Sequence, residues 1–364
     1  MTTPGTELTV PGRELTVPGR ALTAMLGRLS RIEAAVGERF PLYADPATGQ
    51  WASTRRGSWT GGFWAGLRWL AAAVDADPAE RTAAATVTGR LLPRAADDTI
   101  TRAMIFWYGA GATGGQLCAD DEAAAAALTG ARALATSFDG RLGVFPVGSA
   151  FGGSTDEPRL GVDALAAVVA LMCWADQSVP GAQGLAGRHA ATCRRMLVAP
   201  DGQVCAERAL PARLPPPVRD RVWARGHAWG MLGFAVAAER LGDGFLDVAL
   251  RTADWWLASV PTQIPLAVLG RPDAPPDTSA AAIAAAALWT LGGLPVAAAV
   301  RYRTAAAATV ARLIDDHLSR DGVLRDGCYD LTGALACRHE LIWGSYFLAG
   351  LLAVTGGAVS EAIW

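Results

Sequence analysis

The sequence contains no lysine and no asparagine among its 364 residues, so all 32 of its basic residues are arginine. The absence of lysine excludes a Schiff-base lysine and a phosphate-binding P-loop, and the absence of asparagine excludes an asparagine-linked glycan. The net charge is −2, and no block of basic residues occurs. Neither a nucleic acid nor an anionic membrane is therefore an expected partner.

Closely spaced metal ligands and long apolar runs are also lacking. The six cysteines form no CxxC and have no closely spaced histidines beside them. We therefore expect no zinc site, no dense disulfide framework, and no metal or organic cofactor. The N-terminus lacks a signal-peptide pattern, and the longest apolar runs, Ala164 to Ala175 and Ala280 to Leu291, are too short to span a bilayer. A cytoplasmic protein is expected.

The composition is that of a folded globular protein, because 51% of the residues are hydrophobic and only 18% are charged. Two identical heptads, Glu7 to Arg13 and Glu14 to Arg20, occupy the start of the chain. Each heptad carries a proline and a glycine, which oppose a helix. Residues 1–20 are therefore predicted to be a flexible leader, and residues 21–364 a single catalytic domain.

From Leu22 onward the pattern predicts two alternating kinds of helix. Helices with one apolar stripe, which should lie outside, are predicted over 22–37, 79–94, 121–137, 184–198, 244–259 and 296–319. Helices that are apolar nearly all round, which should lie inside, are predicted over 59–76, 99–118, 160–176, 223–241, 278–292 and 339–355. Six of each in alternation predict an all-α fold, an (α/α)6 barrel. Its arginine-rich outer helices suit either a solvated monomer or a homodimer contact.

Polar and aromatic residues gather at the starts of the predicted inner helices, which such a barrel brings to one face. They are Trp59 and Thr60; Thr101 and Arg102; Asp163; Arg225, His227 and Trp229; Asp277 and Ser279; and His339, Glu340 and Trp343. The segments 140–149 and 202–207 are predicted to be short strands or extended loops over that face, and the proline-rich 210–218 a rim loop. A pocket for a small-molecule substrate is expected there.

The densest of these clusters runs from Trp223 to Trp229. Arg225, His227 and Trp229 occupy alternate positions, so a non-helical entry would point all three to the same side. Tryptophan stacks on flat ligands, arginine binds carboxylates, and histidine transfers protons near neutral pH. The alternative is a helix entry whose aromatic residues belong to the core.

Five segments together resemble the unsaturated glucuronyl hydrolases of glycoside hydrolase family 88, in that family's order. They are Trp59-Thr-Gly-Gly-Phe-Trp-Ala-Gly66, Gly161-Val-Asp-Ala-Leu165 leading to Trp174-Ala175, Trp223-Ala-Arg-Gly-His-Ala-Trp-Gly230, Asp277-Thr-Ser-Ala-Ala-Ala-Ile283 and Leu341-Ile-Trp-Gly-Ser-Tyr346. The resemblance implies an (α/α)6 barrel that removes an unsaturated uronic acid from oligosaccharides. It also implies that an aspartate, matched here by Asp163, protonates the C4=C5 enol ether, after which water adds and the hemiketal collapses.

Four polar positions depart from the family's pattern. The family's second active-site aspartate is matched by Thr101, followed by Arg102, unless a shifted helix brings in Asp97 or Asp98. The family's glutamine in the arginine motif becomes His227, and the aspartate of its Gly-Asp-Tyr becomes Ser345. The family's histidine before the arginine motif has no counterpart between His189 and His227. These changes put the ancestral substrate and reaction in question.

Each candidate residue has a structural alternative. Asp163 is either a general acid or a helix N-cap, and Asp277 is expected to be an N-cap. His227 is either a second acid or base or a satisfied buried histidine. Arg102 and Arg225 bind a substrate carboxylate or brace neighbouring elements. Trp59, Trp223, Trp229 and Trp343 line a stacking wall or belong to the core, and His339 and Ser345 are further candidates for lining the site.

Three functions follow from these alternatives. The first is a divergent enzyme of the unsaturated glucuronyl hydrolase type, with Asp163 as acid and arginines and tryptophans positioning a sugar-like or acidic substrate. The second is a barrel repurposed as an isomerase, cyclase or dehydratase of natural-product metabolism that uses Asp163 with His227 on a small acidic or polycyclic metabolite. The third is a barrel that binds a sugar or metabolite without catalysis.

Overall fold

The structure is a computed structural model that describes residues 16–150, 156–211 and 215–364. Its α-helices are, in chain order, α1 (Val17–Leu26), α2 (Leu29–Val36), α3 (Gly61–Asp75), α4 (Pro78–Gly89), α5 (Arg102–Phe106), α6 (Asp121–Ala135), α7 (Leu165–Ala175), α8 (Ala182–Leu197), α9 (Ala224–Leu241), α10 (Leu246–Ser259), α11 (Thr278–Leu291), α12 (Ala299–Arg312) and α13 (Ile342–Thr355). π-Helical segments continue α5 over Trp107–Leu117 and α12 over Leu313–His317, and short 3-10 helices cover Leu92–Ala96 and Asp243–Phe245.

The inner helices form a closed ring. In order around it lie α3, α5 with its π-helical continuation, α7, α9, α11 and α13, and α13 packs against α3 to close it. Outside the ring, α4, α6, α8, α10 and α12 each pack against the inner helix that precedes them, and α1 packs against α13. This is the (α/α)6 barrel predicted from the alternation.

The residue pattern explains which helices lie inside. In α7 every residue from Leu165 to Met172 is fully buried, so this helix needs neighbours on all sides. In α6 the buried side chains include Ala123, Ala127 and Leu134, which share one stripe and leave the opposite face to solvent.

A glycine in the first resembling segment allows two inner helices to touch. A Cβ atom on Gly62 of α3 would lie 2.5 Å from the carbonyl oxygen of Ile105 and 2.7 Å from its Cα atom. Only a residue without a side chain fits there. The segment from Trp59 to Gly66 therefore sets helix spacing as well as one side of the site.

Short strands cover the end of the barrel where the inner helices begin. A four-stranded antiparallel sheet has the order β2 (Trp51–Thr54), β1 (Phe40–Ala44), β8 (Leu335–Leu341) and β7 (Gly327–Asp330). Two smaller ladders pair β3 (Arg159–Gly161) with β4 (Glu207–Ala209), and β5 (Val222–Trp223) with β6 (Val268–Leu269). Two strands, β5 and β8, run directly into inner helices, and β3 is separated from α7 by three residues, so these strands position the residues at the helix starts.

Several predicted boundaries were wrong. Residues 1–15 of the predicted leader lie outside the described residues, but Val17 to Arg20 form the first turn of α1, where Pro18 needs no hydrogen-bonded N–H and Thr16 accepts from the Gly19 N–H. The segments 140–149 and 202–207, by contrast, are loops as one of the two predicted alternatives had it, with the isolated bridges Asp139–Val144 and Val198–Val204, and β4 begins at Glu207. His339 and Glu340, predicted to begin the last inner helix, lie in β8. Part of the predicted rim loop, 212–214, is outside the described residues.

None of the helices in the described ranges is long and apolar enough to cross a lipid bilayer. This finding agrees with the short apolar runs of the sequence.

Candidate active site

A cavity of about 710 Å³ opens at the end of the barrel where the inner helices begin. Its walls come from the start of α3, the β3–α7 and β5–α9 connections, β4, β6 and the β7–β8 hairpin. The lining residues are Trp59, Asp163, Glu207, Trp223, Arg225, Ala267, Val268, Cys328, Tyr329, Asp330, Leu331, Thr332 and Leu335. Four of the predicted site residues are brought together there: Asp163, Arg225, Trp59 and Trp223.

Asp163 lies two residues before α7, and Ala164 occupies the N-cap position of that helix without a side-chain hydrogen bond. The alternative role of Asp163 as the N-cap is therefore wrong. Burial raises the pKa of the Asp163 carboxyl to about 7, while the positive charge of Arg225 opposes the rise and the negative charge of Glu207 adds to it. A carboxyl group with this pKa can hold and release a proton near neutral pH.

Arg225 both lines the cavity and braces its wall. One guanidinium nitrogen donates to Asp277 Oδ2 at 3.1 Å and to the Cys328 carbonyl, and the other donates to the Tyr329 carbonyl at 2.6 Å. The group also lies over the ring of Trp223, 4.8 Å from its centroid. Arg225 therefore ties the start of α9 to β7 and places a positive charge in the cavity wall.

Asp277 is the N-cap of α11, as predicted. Its Oδ1 atom accepts from the N–H and the hydroxyl of Ser279 and from the Cys328 N–H, and its Oδ2 atom accepts from Arg225. The carboxylate is fully buried, so these donors and the charge of Arg225 are what make its burial tolerable. Asp277 supports the site from beneath the hairpin.

Some of the predicted tryptophans line the cavity wall, and others belong to the hydrophobic core. Trp59 and Trp223 line the cavity, and the Trp59 ring lies 4.9 Å from the ring of buried Trp343. The Trp343 indole N–H has no hydrogen-bond partner among the described residues. Trp229 is fully buried against Phe347, with ring centroids 5.4 Å apart, so it belongs to the core.

His227 was wrongly predicted to face the site. Because α9 already begins at Ala224, Arg225 and His227 are about 200° apart around the helix, whereas the prediction assumed an extended entry. The Nδ1 atom of His227 accepts from the Val204 N–H at 3.2 Å, and Nε2 donates to the Thr252 carbonyl at 3.0 Å. Burial lowers the pKa of His227 to about 4, only partly offset by the bond to Thr252. It is a neutral core histidine outside the cavity.

Thr101 and Arg102 do not reach the cavity. The hydroxyl of Thr101 pairs with that of Thr99, and Arg102 donates to the carbonyls of Thr99 and Ala95. Arg102 thus braces the start of its own helix, which was the alternative considered for it.

The two neighbouring aspartates do not replace the family's second aspartate. Asp97 forms ion pairs with Arg56 and Arg94, and Asp98 accepts two hydrogen bonds from Ser149. Both carboxylates bind other residues, and neither lines the cavity.

His339 and Ser345 also lie outside the cavity lining. His339 Nδ1 bonds to the Cys337 carbonyl at 2.9 Å, and its ring meets Tyr43 edge-on. Ser345 donates to Glu340, which is buried in an ion pair with Arg28. His339 was predicted at a helix start, but the helix begins later, at Ile342, and Ser345, a candidate because of the resemblance, lies in its first turn.

Sequence reasoning missed Glu207 and the β7–β8 hairpin from Cys328 to Leu335. Both come to the cavity through pairing between strands distant in the sequence, Glu207 of β4 with Gly161 of β3, and Leu341 of β8 with Tyr43 of β1. A sequence pattern shows a strand's alternation but not its partner, and β4 has only three residues. The only available signal was the predicted extended segment ending at Glu207.

No family model matches this chain. It is similar to the unsaturated glucuronyl hydrolase of Bacillus sp. strain GL1, with 28% identity over 360 residues that cover 91% of this chain and 95% of that protein. The crystal structure of the enzyme from Bacillus sp. GL1 has a TM-score of 0.84 at 24% identity, covering 95% of this chain and 99% of that one. The unsaturated glucuronyl hydrolase of Streptococcus agalactiae has a TM-score of 0.85 at 19% identity over 100% of both chains. The predicted resemblance and the barrel fold are confirmed.

Proposed function

We propose that this chain, which is similar to an unsaturated glucuronyl hydrolase, is a glycoside hydrolase-like enzyme in which Asp163 protonates an enol ether. The substrate class is a small saccharide that ends in an unsaturated uronic acid. One observation carries the proposal: Asp163 lines the 710 Å³ cavity, has no capping role, and has a pKa raised to about 7. At neutral pH a large fraction of the protein therefore holds the proton that the reaction needs.

The chemistry can be assigned to the residues of the wall. The protonated Asp163 carboxyl transfers its proton to C4 of the enol ether, and the electron pair of the double bond forms the new C4–H bond. Positive charge develops at C5 and the ring oxygen. The oxygen of a water molecule then bonds to C5 as the water gives up one proton. The resulting hemiketal collapses and releases the sugar. Trp59 and Trp223 present ring faces for stacking, and the charge of Arg225 favours an acidic group nearby.

Structures of relatives with saccharides support the substrate class. One unsaturated glucuronyl hydrolase mutant from Streptococcus agalactiae, complexed with dGlcA-GalNAc6S, has a TM-score of 0.76 to this chain at 18% identity. Another related structure contains dGlcA-Glc-Rha-Glc and has a TM-score of 0.85. Both saccharides begin with the unsaturated uronic acid that the proposal requires.

The two other hypotheses have less support. The hypothesis of a repurposed isomerase, cyclase or dehydratase needs His227 as a second proton-transfer group. His227 does not reach the cavity, because it is buried behind the cavity wall between Val204 and Thr252. A barrel that only binds a sugar gives no reason to enclose a carboxyl that has no hydrogen-bonding partner among the described residues. Asp163 fits proton transfer better than binding.

The test is a spectrophotometric assay with a panel of unsaturated glucuronyl disaccharides, following loss of the C4=C5 ultraviolet absorbance. We expect turnover by the wild type and a loss of about 100- to 10,000-fold in kcat for Asp163→Asn, since a general acid contributes that much. Asp247→Asn, on the exposed surface of α10, is the matched control. Turnover that survives in Asp163→Asn would refute the assignment, and a flat trace with folded wild type would refute the proposed substrate class.

A further inference from the structure

The geometry points to Glu207 as the second proton-handling carboxylate of this cavity, the group that takes the proton from the water that adds at C5. This inference rests on the proposed function and concerns how this particular chain completes it. The position that matches the family's second aspartate is Thr101, which lies outside the cavity lining. Glu207 is the carboxylate that β4 supplies to the same cavity as Asp163.

The β3–β4 ladder brings Glu207 close to the segment that carries Asp163. Glu207 is paired with Gly161, and the Val162 N–H donates to the Ala206 carbonyl at 2.9 Å, so the contact between the two segments continues to the residue before Asp163. Asp163 follows in the turn that leads into α7. Asp163 and Glu207 line the same cavity, and the negative charge of Glu207 acts on the Asp163 carboxyl and raises its pKa. The two carboxyl groups therefore face one space that a substrate and a water molecule can enter.

Gly161 shows on which side of the ladder the Glu207 side chain lies. A Cβ atom placed on Gly161 would lie 3.2 Å from Val147 Cγ2 and 3.9 Å from Glu207 Oε2, so the Glu207 carboxylate lies next to the glycine. A side chain at position 161 would press on Val147 first and would reach the Glu207 carboxylate if it were larger.

The environments of the two groups give them different tasks. Asp163 is enclosed and has no ion-pair partner within 4.0 Å among the described residues, which favours its protonated form. Glu207 is exposed to solvent and forms an ion pair with Arg159. Two carboxyl groups in such different surroundings can act as acid and base respectively.

The proton and electron balance closes with these two groups. The O–H bond of Asp163 breaks and the C4–H bond forms from the alkene pair. The water oxygen then bonds to C5, and one water O–H bond breaks to protonate Glu207. Solvent exchange returns the proton from Glu207 to Asp163 before the next turnover.

The experiment compares Glu207→Gln, Glu207→Ala and the surface control Glu38→Gln in the absorbance assay. We expect a loss of about 10- to 1,000-fold in kcat for both cavity variants with a smaller change in KM, and a wild-type rate for the control. Added formate should restore part of the rate of Glu207→Ala, because a small carboxylate can occupy the vacated space. A merely structural role would not be rescued in this way.

The pH profile supplies a second readout. The charged groups that act on Asp163 are Arg225 from α9 and Glu207 from β4, and Arg159 from β3 pairs with Glu207. Loss of the Glu207 charge should move the alkaline limb of kcat to lower pH, and Arg159→Gln should not. Full kcat in both Glu207 variants of an active enzyme would overturn this inference alone. An inactive wild type would instead overturn the proposed function.

Discussion

His227 lies between its outer-helix neighbours, with its ring 4.5 Å from that of Trp255 and 5.8 Å from that of Trp256. Both of its ring nitrogens are used by backbone groups. We therefore expect His227→Gln to change kcat/KM by no more than a few-fold while lowering the free energy of unfolding by about 1 kcal/mol, the value of one lost hydrogen bond. Steady-state kinetics and denaturant unfolding test the two halves separately.

A different result would revive the second hypothesis. If His227→Gln abolished turnover while unfolding at the wild-type denaturant concentration, the histidine would have to act in chemistry. The comparison is matched because glutamine has a similar size and can replace one of the two hydrogen bonds.

At the scale of the helix, Gly62 predicts a steric limit. Gly62→Ala should lower the free energy of unfolding by about 1–3 kcal/mol, because its new methyl group would press on the backbone of Ile105. The control is Gly187→Ala in the interior of α8, where nothing lies within 4 Å of the added Cβ atom. That change should stabilise by up to about 1 kcal/mol through helix propensity. Equal effects of both substitutions in chemical denaturation would contradict the close packing of α3.

The β7–β8 hairpin carries a pair of thiols on opposite strands. Cys328 pairs with Cys337, and their sulfur atoms are 3.3 Å apart. Burial raises the pKa of the Cys328 thiol, so reaction should begin at the more accessible Cys337. Oxidised glutathione should form a mixed disulfide with Cys337 and release one molecule of reduced glutathione. The sulfur of Cys328 then attacks Cys337 and displaces the second molecule of reduced glutathione.

Peptide mapping after this treatment should find Cys328 joined to Cys337 while the remaining cysteines stay reduced. Cys337→Ser is the control, and in it Cys328 should stay a free thiol. A stable glutathione adduct on wild-type Cys337 would show that the two strands do not hold the sulfur atoms together.

The sequence predicts the helices better than the site, because helices depend on patterns within one segment and the site depends on contacts between segments that are distant in the sequence. Apolar periodicity within a segment is enough to separate α7 from α6, so the inner and outer layers were predictable. The face on which His227 lies depends on whether α9 begins before or after it, and helix starts are weakly encoded. Glu207 reaches Asp163 only through strand pairing across 46 positions of chain, a contact that no local pattern reports.

At the scale of the whole molecule, one continuous core joins the barrel. Most buried apolar residues, from Ala21 in α1 to Trp364, form one cluster, and the Trp364 indole donates to Thr290 at 2.9 Å. A second, small cluster lies around Trp69 between α3, α4 and α6. Local opening of one inner helix would expose its neighbours on both sides. Protonation of a group in the barrel should therefore change the free energy of unfolding of the entire chain.

The pH dependence of stability should distinguish Asp163 and His227 by sign. For Asp163, whose pKa is about 7 in the folded protein and ordinarily 3.8, the native state binds a proton that the unfolded chain has lost between about pH 4 and 7. Wild-type stability therefore falls through this range by at most about 1.4 kcal/mol per pH unit from this group. The Asp163→Asn variant should gain stability relative to wild type as pH rises to about 7.

For His227 the sign is reversed. Its pKa is about 4 in the folded protein and ordinarily 6.5, so between these values the unfolded chain binds the additional proton and acid destabilises the fold. The His227→Gln variant should therefore lose stability relative to wild type as pH rises from about 4 to 6.5. Denaturant unfolding at several pH values measures both differences, and all other groups cancel in each. Parallel curves for either variant and wild type would show that the substituted group has the same pKa in the folded and unfolded chain. For Asp163, that result would remove the electrostatic basis of its role as the acid.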